Sequence, residues 1–388
     1  MKKIAYVVGG LYCPTGMNST LTRKINWLAE NTDFDLYMIL TERAELPWCF
    51  EVNPKVKWIN FNINFDEMDS MPMYKKLFYY ISKQRKYKRL FKQYLLDIHP
   101  DITVSILRRE INFINSIKDE SKKIGEIHFT RSSYRNISIP FFPQKVNHYI
   151  SNLWINNLIK ELKKLDRFVT LTQEDYNLWP ELNNKLVIPN FVPDYKGELS
   201  QLNSKSVIAV GRYSWEKGFD LLVSIWEIVN QKHPDWTLNI YGVGDYSSIQ
   251  NLANEKGLNK VFICHSATNN IYQQYINSSI FTMSSRYEGF GMVLIEAMSV
   301  GLPPIAFACP CGPRDIIKNG ENGILVEPGN IKGFADSICE LIEKPEKREL
   351  MAKKAIERTK DYSKDNIMNK WVKLFENLYR SHLTDSKQ

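Results

Sequence analysis

No stretch of this sequence approaches the run of about 18 consecutive apolar residues that a membrane-crossing helix needs. Cysteine is scarce: the 388 residues hold six, at positions 13, 49, 264, 309, 311 and 339. A disulfide framework would be denser and the chain shorter, so reduced structural thiols are expected. Cys309-Pro310-Cys311 is the only close pair, and with no second Cys/His pair near it a zinc site is not supported. Glycine (18) and proline (17) are too few and too scattered for a collagen-like or linker-dominated chain. There is no low-complexity segment, no short internal repeat and no G-x-G-x-x-G dinucleotide fingerprint. With 44% hydrophobic and 24% charged residues, disorder is excluded as the main state.

Short β-rich apolar runs alternate with longer helical stretches along the whole chain. The strand candidates are Ile4–Val8, Leu36–Leu40, Val56–Phe61, Ile102–Ile106 and Phe168–Leu171, then Val207–Val210, Thr237–Tyr241, Val261–Cys264, Ile280–Met283, Pro304–Ala308 and Ile324–Val326. Alternation of this kind predicts βα units and parallel sheets, and two successive sets predict two doubly wound α/β domains facing across a cleft. The boundary falls near 190–203, where Asp194–Ser204 is polar and aperiodic, giving domains at 1–195 and 203–363. The opening run Ile4–Val8 is too short for a signal-peptide core and reads as a buried first strand, so a cytoplasmic protein is expected. The final helix, about 364–380, carries Trp371, Phe375 and Leu378 at helical spacing and needs a surface to cover.

In open parallel sheets ligands sit beyond the carboxyl ends of the strands, so chemistry is sought just after them. Following Ile280–Met283, the segment Ser284–Met298 holds Glu288, a Gly289-Phe290-Gly291 turn, and a helix-forming run from about Met292 that contains Glu296. Free N–H groups at such a helix start can bind an anion. Glu296, among Leu294, Ile295, Ala297 and Met298, needs a hydrogen-bonding partner, and the adjacent hydroxyls of a ribose or hexose would serve. Following Val207–Val210, Arg212 and Lys217 can hold a pyrophosphate, by a planar fork and a mobile point charge respectively. Following the first strand, Gly9-Gly10 lets the backbone approach a ligand closely, or is a plain βα turn.

Other features carry weaker signals. His128, after the short strand-like piece Glu126–Phe129, reads either as a hydrogen-bonding or acid/base group in the cleft or as a structural histidine. Asp33-Phe34-Asp35 has the spacing of a metal-binding D-x-D but precedes its strand, at the wrong end for a site, and no metal is expected. The net charge of +8 favours an anionic partner. From Tyr74 to Tyr94 eight Lys/Arg and no acid are interleaved with Leu, Phe, Tyr and Ile, which predicts a basic amphipathic helix pair. It can be a solvated face over a core or can lie on anionic lipid; no reading module accompanies it, so nucleic acid is not expected.

Together these segments resemble the retaining GT-B glycosyltransferases, specifically glycosyltransferase family 4 (group 1). The resemblance is carried by Glu288-x7-Glu296 within Tyr-Glu-Gly-Phe-Gly…Glu-Ala-Met, by Gly211-Arg212…Lys217-Gly218, by Ile188-Pro189-Asn190 and Gly242-Val243-Gly244, and by Gly312-Pro313-Arg314-Asp315-Ile316-Ile317…Asn322-Gly323. It is strongest over about 185–330. It implies two Rossmann-like domains, the first binding the acceptor and the second the donor, with the helix 364–388 crossing back onto the first. By carry-over, Arg212 and Lys217 bind the donor diphosphate and Glu288 contacts sugar hydroxyls. Phe290, Gly291 and Met292 supply backbone groups, Glu296 takes the ribose hydroxyls, Gly10 approaches the diphosphate, and His128 lies near the transferred sugar. The implied reaction is metal-independent, retaining hexosyl transfer from a nucleoside diphosphate sugar, UDP by family frequency. The implied acceptor is a glycan or lipid-linked glycan of bacterial surface polysaccharide assembly, met at the inner membrane face. A phosphorylase or nucleotide-sugar epimerase of the same fold, and a non-enzymatic binder of anionic surfaces, are the other readings. Two departures stand out: the Gly-Gly-Leu-Tyr-Cys-Pro loop lacks the acid that usually follows soon after, and Asp315 stands where Glu is commoner.

Overall fold

Among the described residues every strand pair runs parallel, in two sheets that belong to two compact units. The computed structural model describes residues 2–13, 15–68, 71–131 and 144–385. The first unit comprises Met1–Leu171, Tyr176–Ile188 and Ile367–Gln388, and the second Thr172–Asp175 and Pro189–Asn366. In the first, β1 (Lys3–Val7), β2 (Asp35–Leu40), β3 (Lys57–Asn60), β4 (Ile102–Ser105), β5 (Lys122–Glu126), β6 (Arg167–Thr170) and β7 (Lys185–Val187) are ordered β3-β2-β1-β4-β5-β6-β7. In the second, β8 (Ser206–Val210), β9 (Thr237–Gly242), β10 (Phe262–Ser266), β11 (Ile280–Met283), β12 (Pro304–Phe307) and β13 (Ile324–Val326) are ordered β10-β9-β8-β11-β12-β13. Both orders reverse once, between β1 and β4 and between β8 and β11. Such a reversal opens a crevice at the carboxyl ends of the two central strands.

Strands covered on both faces read as unbroken apolar runs. That is why β1 was visible in the sequence: Ile4, Ala5, Tyr6 and Val7 are all buried. Two strands escaped that reading. β5 begins Lys122-Lys123 and ends on Glu126, and β7 is only three residues long. The charges of β5 are matched in space: Lys123 lies against Asp119, and the Lys122 ammonium lies 3.5 Å from Asp166. The basic stretch is one helix, Met73–Ile98, rather than the expected pair. Its apolar residues meet different surroundings: Tyr87, Phe91 and Leu95 are buried, while Leu77 and Phe78, nearer its start, stand in solvent. Among the described residues no helix is long and apolar enough to cross a membrane.

The last helix, Lys364–Asp385, joins the first unit from Ile367 onward. Trp371, Phe375 and Leu378 are buried there, and the Phe375 ring meets Tyr6 and Phe34 edge-on at 6.3 and 6.0 Å. Beneath Trp371 lies a buried charge. The Lys24 ammonium sits 3.9 Å from the Trp371 ring centroid, and both carboxylate oxygens of Glu126 accept from it at 2.5 Å. Lys24 and Glu126 are 2% and 1% exposed. Neither charge would be tolerated there alone. Burial pulls the Lys24 ammonium below its usual range, against the opposing pull of Glu126. Burial would push the Glu126 carboxyl up, but Lys24 and His128 together hold it down at about 2.

In the second unit the helix Phe219–Lys232 buries Leu222, Ile225, Trp226 and Val229 against its sheet. Gly218 starts it at φ +64°, and a Cβ there would lie 2.2 Å from the Ser284 carbonyl oxygen. The loop after β8 and the loop after β11 touch at that point, so only glycine fits.

Two outcomes follow. Glu126→Gln strands the Lys24 charge and should lower stability by about 3–5 kcal/mol at neutral pH in urea melts. The folded value of Glu126 lies below its unfolded one, so its contribution is complete above the ordinary carboxylate range and drains away as pH falls toward about 2. The fall in wild-type stability over that window should flatten in the variant. Gly218→Ala combines left-handed strain with a backbone clash, and should cost about 1–3 kcal/mol by the same melts.

Candidate functional site

The crevice between β8 and β11 is bounded by the loops 211–218 and 284–291, and hydrogen bonds tie these loops together. The N–H of Arg286 donates to the Glu216 carbonyl at 2.8 Å, and the Ser284 hydroxyl donates to the Lys217 carbonyl at 2.9 Å. The Arg286 guanidinium grips both carboxylate oxygens of Asp220 at 2.9 and 2.6 Å and lies 4.6 Å from the Trp215 ring centroid. Arg286 is thereby occupied in holding the walls.

The same arrangement brings Lys217 to Glu288. The Lys217 ammonium donates to Oε1 of Glu288 at 2.6 Å, and the Ser285 hydroxyl donates to the same oxygen at 2.6 Å. Glu288 is 7% exposed, and its N–H is fixed by the Pro310 carbonyl at 3.2 Å. A carboxylate so buried requires a cation or several donors. Here it has a cation that is itself largely buried. The sequence reading placed Lys217 and Glu288 in one site; it did not foresee that they pair directly. Arg212, by contrast, is mostly exposed and donates to Glu216 at 2.7 Å. Such a surface pair is worth at most about 1 kcal/mol, so its guanidinium can exchange partners easily.

The other donor-site candidates follow β11 in order. Phe290 is buried edge-on against Tyr362, at 5.7 Å between ring centroids. Gly291, at φ +88°, caps the helix Met292–Ser299, whose first-turn amides include that of Met292. Glu296 is half-buried just over one turn on, and its charge adds to the burial that pushes the Tyr275 hydroxyl well above its usual range. Cys309 lies beside Glu288; burial first, and the Glu288 charge second, push its thiol up to about 12, so it is no nucleophile. Arg314, within the Gly312–Gly323 motif, donates to Glu174 at 3.1 Å. Among the described residues no three His, Cys, Asp or Glu gather as metal ligands. Asp35 stands at the amino end of β2, held by Lys57 and Tyr37 at 2.8 and 2.9 Å.

In the first unit, Gly9-Gly10 follows β1 at the reversal. The Gly9 carbonyl accepts from the N–H groups of Thr41 and Glu42 at 2.8 and 3.1 Å, and a Cβ on Gly10 would meet the Tyr12 ring at 2.7 Å. His128 follows β5. Its side chain is 4% exposed and turned inward, with Nε2 3.1 Å from Oε1 of Glu126, near enough for an ion pair though outside hydrogen-bond geometry. Sequence reasoning passed over three residues at this reversal. Arg108 and Arg109 follow β4, and the Arg108 guanidinium lies against the backbone of Gly9. Glu42 follows β2, buried, with Oε2 unpaired. The signal was available, since all three stand just beyond strands that the apolar runs had located.

Three comparisons bear on this geometry. The family described as glycosyl transferases group 1 matches residues 194–358. A protein of Haemophilus influenzae described as an uncharacterized glycosyltransferase is 34% identical over 237 residues, covering 58% of this chain and 67% of the relative. The amylovoran biosynthesis glycosyltransferase AmsD of Erwinia amylovora is 32% identical over 217 residues, covering 53% and 61%. Among solved structures, S. aureus TarM in complex with UDP and other ligands superposes with a TM-score of 0.72 at 19% identity, covering 97% of this chain and all of that one. That likeness shows the GT-B fold. Two parallel sheets that each reverse once, a cation–carboxylate pair where the second reverses, and a relative sharing a third of its residues over most of its length make this chain a member of the group 1 glycosyl transferases.

Proposed function

We propose that this protein is a retaining hexosyltransferase. It moves a sugar from a UDP-sugar to a hydroxyl of a glycan or lipid-linked glycan during bacterial surface polysaccharide synthesis. The observation that carries the reading is the Lys217–Glu288 pair at the β8/β11 reversal, beside the exposed Arg212 and the helix led by Gly291. The UDP bound by TarM, which shares the fold, supports the nucleotide. The polysaccharide named for the Erwinia relative supports the acceptor class.

In this reading the anomeric C–O bond breaks heterolytically, positive charge grows on the sugar ring, and the electron pair leaves with the diphosphate. Lys217, Arg212 and the first-turn amides of Met292–Ser299 stabilise that departing charge, so no metal is required. Lys217 spends one of its three N–H donors on Glu288 and turns the others to phosphate oxygens. Glu288 keeps Oε2 for the sugar hydroxyls while Oε1 remains with Lys217 and Ser285. Glu296 takes the ribose hydroxyls, and the backbone at Phe290, Gly291 and Met292 lines the sugar and phosphates. Gly10 offers its backbone to the diphosphate. His128 stands near the transferred sugar and offers it backbone groups, its ring being turned inward toward Glu126. Retention follows when the acceptor oxygen attacks from the face the diphosphate leaves, its proton passing to the departing phosphate oxygen. Transfer takes place in the cytoplasm, at the inner face of the membrane where lipid-linked acceptors are displayed.

The deciding experiment is a screen of UDP- and GDP-sugars by calorimetry, followed by analysis of the product formed with lipid-linked and soluble glycans. An α-linked product from an α-linked donor is expected, undiminished by EDTA. Product inverted at the anomeric carbon, or a metal requirement, would overturn the mechanism. Conversion of the donor without acceptor would indicate an epimerase, and dependence on free phosphate a phosphorylase. Lys217→Ala and Glu288→Gln should each lower kcat about 10²–10³-fold while the far-ultraviolet dichroism is unchanged. Wild-type turnover in either variant would remove that residue from the site.

A further inference from the structure

Among the described residues of the second unit, the most exposed large apolar side chain stands on a wall of the site just described. Trp215 is 68% exposed and opens the short helical turn Trp215–Lys217, two residues before the lysine that pairs with Glu288. An isolated surface aromatic is ordinary when it is loose. This one is fixed. The Arg286 guanidinium donates to the Trp215 carbonyl at 2.6 Å and lies over the indole at 4.6 Å from its centroid, and Asp220 holds that guanidinium by both carboxylate oxygens. The Tyr287 ring stands beside the indole, 6.5 Å between centroids and inclined by 52°.

Holding an indole still costs side-chain entropy, and leaving it wet returns no burial. A ligand that covers the ring supplies the missing burial, and a side chain ordered beforehand lowers the entropy cost of binding it. The ring identifies the ligand. One face is shared with the guanidinium, so the ligand lies flat on the surface that remains. The π face carries partial negative charge and attracts polarised C–H bonds. A pyranose ring matches: its C–H bonds gather on one face and its hydroxyls point outward around the rim. The Arg212–Glu216 pair on the same loop is weak enough to exchange for those hydroxyls. A nucleobase is flat too, but the function above places the nucleoside at Glu296, on the helix Met292–Ser299 rather than on the loop after β8.

We propose that Trp215, steadied by Arg286 and flanked by Tyr287, is a platform for a pyranose ring of the acceptor glycan. The proposal rests on the transferase reading for calling that glycan the acceptor; the platform itself rests on the fixed, exposed indole.

The test is saturation-transfer NMR on the full chain with the methyl glycosides of glucose, galactose and N-acetylglucosamine, each with and without UDP. Sorbitol, rich in hydroxyls but without a ring, is the control and requires no variant. The ring C–H protons of at least one glycoside should receive saturation, and sorbitol should receive none. Trp215→Ala should weaken that glycoside's binding about tenfold, and Trp215→Phe, which keeps a flat apolar face, should restore most of it. In transfer assays Trp215→Ala should raise the acceptor KM by a similar factor and leave the KM for the UDP-sugar unchanged. Thermal melts and UDP calorimetry on both variants show whether the walls of the site survive. Four outcomes would overturn the proposal: no saturation of any glycoside, equal saturation of sorbitol, glycoside binding that persists in Trp215→Ala, or a loss of UDP affinity in that variant, which would give the face to the nucleobase. A protein that binds UDP-sugar while glycosides ignore Trp215 defeats only the platform. One whose Trp215 binds glycosides but which binds no UDP-sugar defeats only the transferase reading.

Discussion

A lysine and a glutamate 71 residues apart share one hydrogen bond, and the crevice between β8 and β11 is arranged around it. For Lys217 to reach Glu288, the chain must leave β8 and β11 side by side and turn both loops toward each other. Gly218 permits the turn, and the contact of Arg286 with Asp220 and Trp215 holds the walls at the right separation. The pair resolves a conflict. A site for a phosphorylated sugar needs a cation for one end of the ligand and a carboxylate for the other, in a place too dry for either alone. Letting each neutralise the other keeps both charged and oriented before a ligand arrives.

Much of this was legible in the sequence because parallel strands buried on both faces must be apolar throughout. β1, β2, β4, β8, β11 and β12 announce themselves in that way, and the residues beyond them are where parallel sheets place chemistry. The same logic explains what was missed. β5 looks like a polar loop because its lysines and glutamate are neutralised by Asp119, Asp166 and Lys24, partners that exist only in three dimensions. The helix Met73–Ile98 was read as a pair; that its early apolar residues stand in solvent while later ones are buried is a difference of neighbours that spacing cannot show. The pairing of Lys217 with Glu288 was beyond reach for the same reason: spacing places each after a strand but says nothing about the distance between loops.

The first unit shows a second use of buried charge. Glu126 holds Lys24 on one side and faces His128 on the other, so a structural ion pair and a candidate site residue share one carboxylate. Packing beneath the sheet is thereby linked to the orientation of an imidazole at its carboxyl end. Trp371, from the helix Lys364–Asp385, completes the enclosure with its ring over the ammonium.

That last contact has a consequence for how the protein is made. The segment that shields Lys24 follows the whole second unit in the chain, so it leaves the ribosome after that unit. Until residue 367 and those beyond it emerge, the first unit holds an unshielded ammonium and an empty seat for an indole, although all its strands were translated earlier. A chain cut before residue 367 would leave that unit unfinished however sound the second.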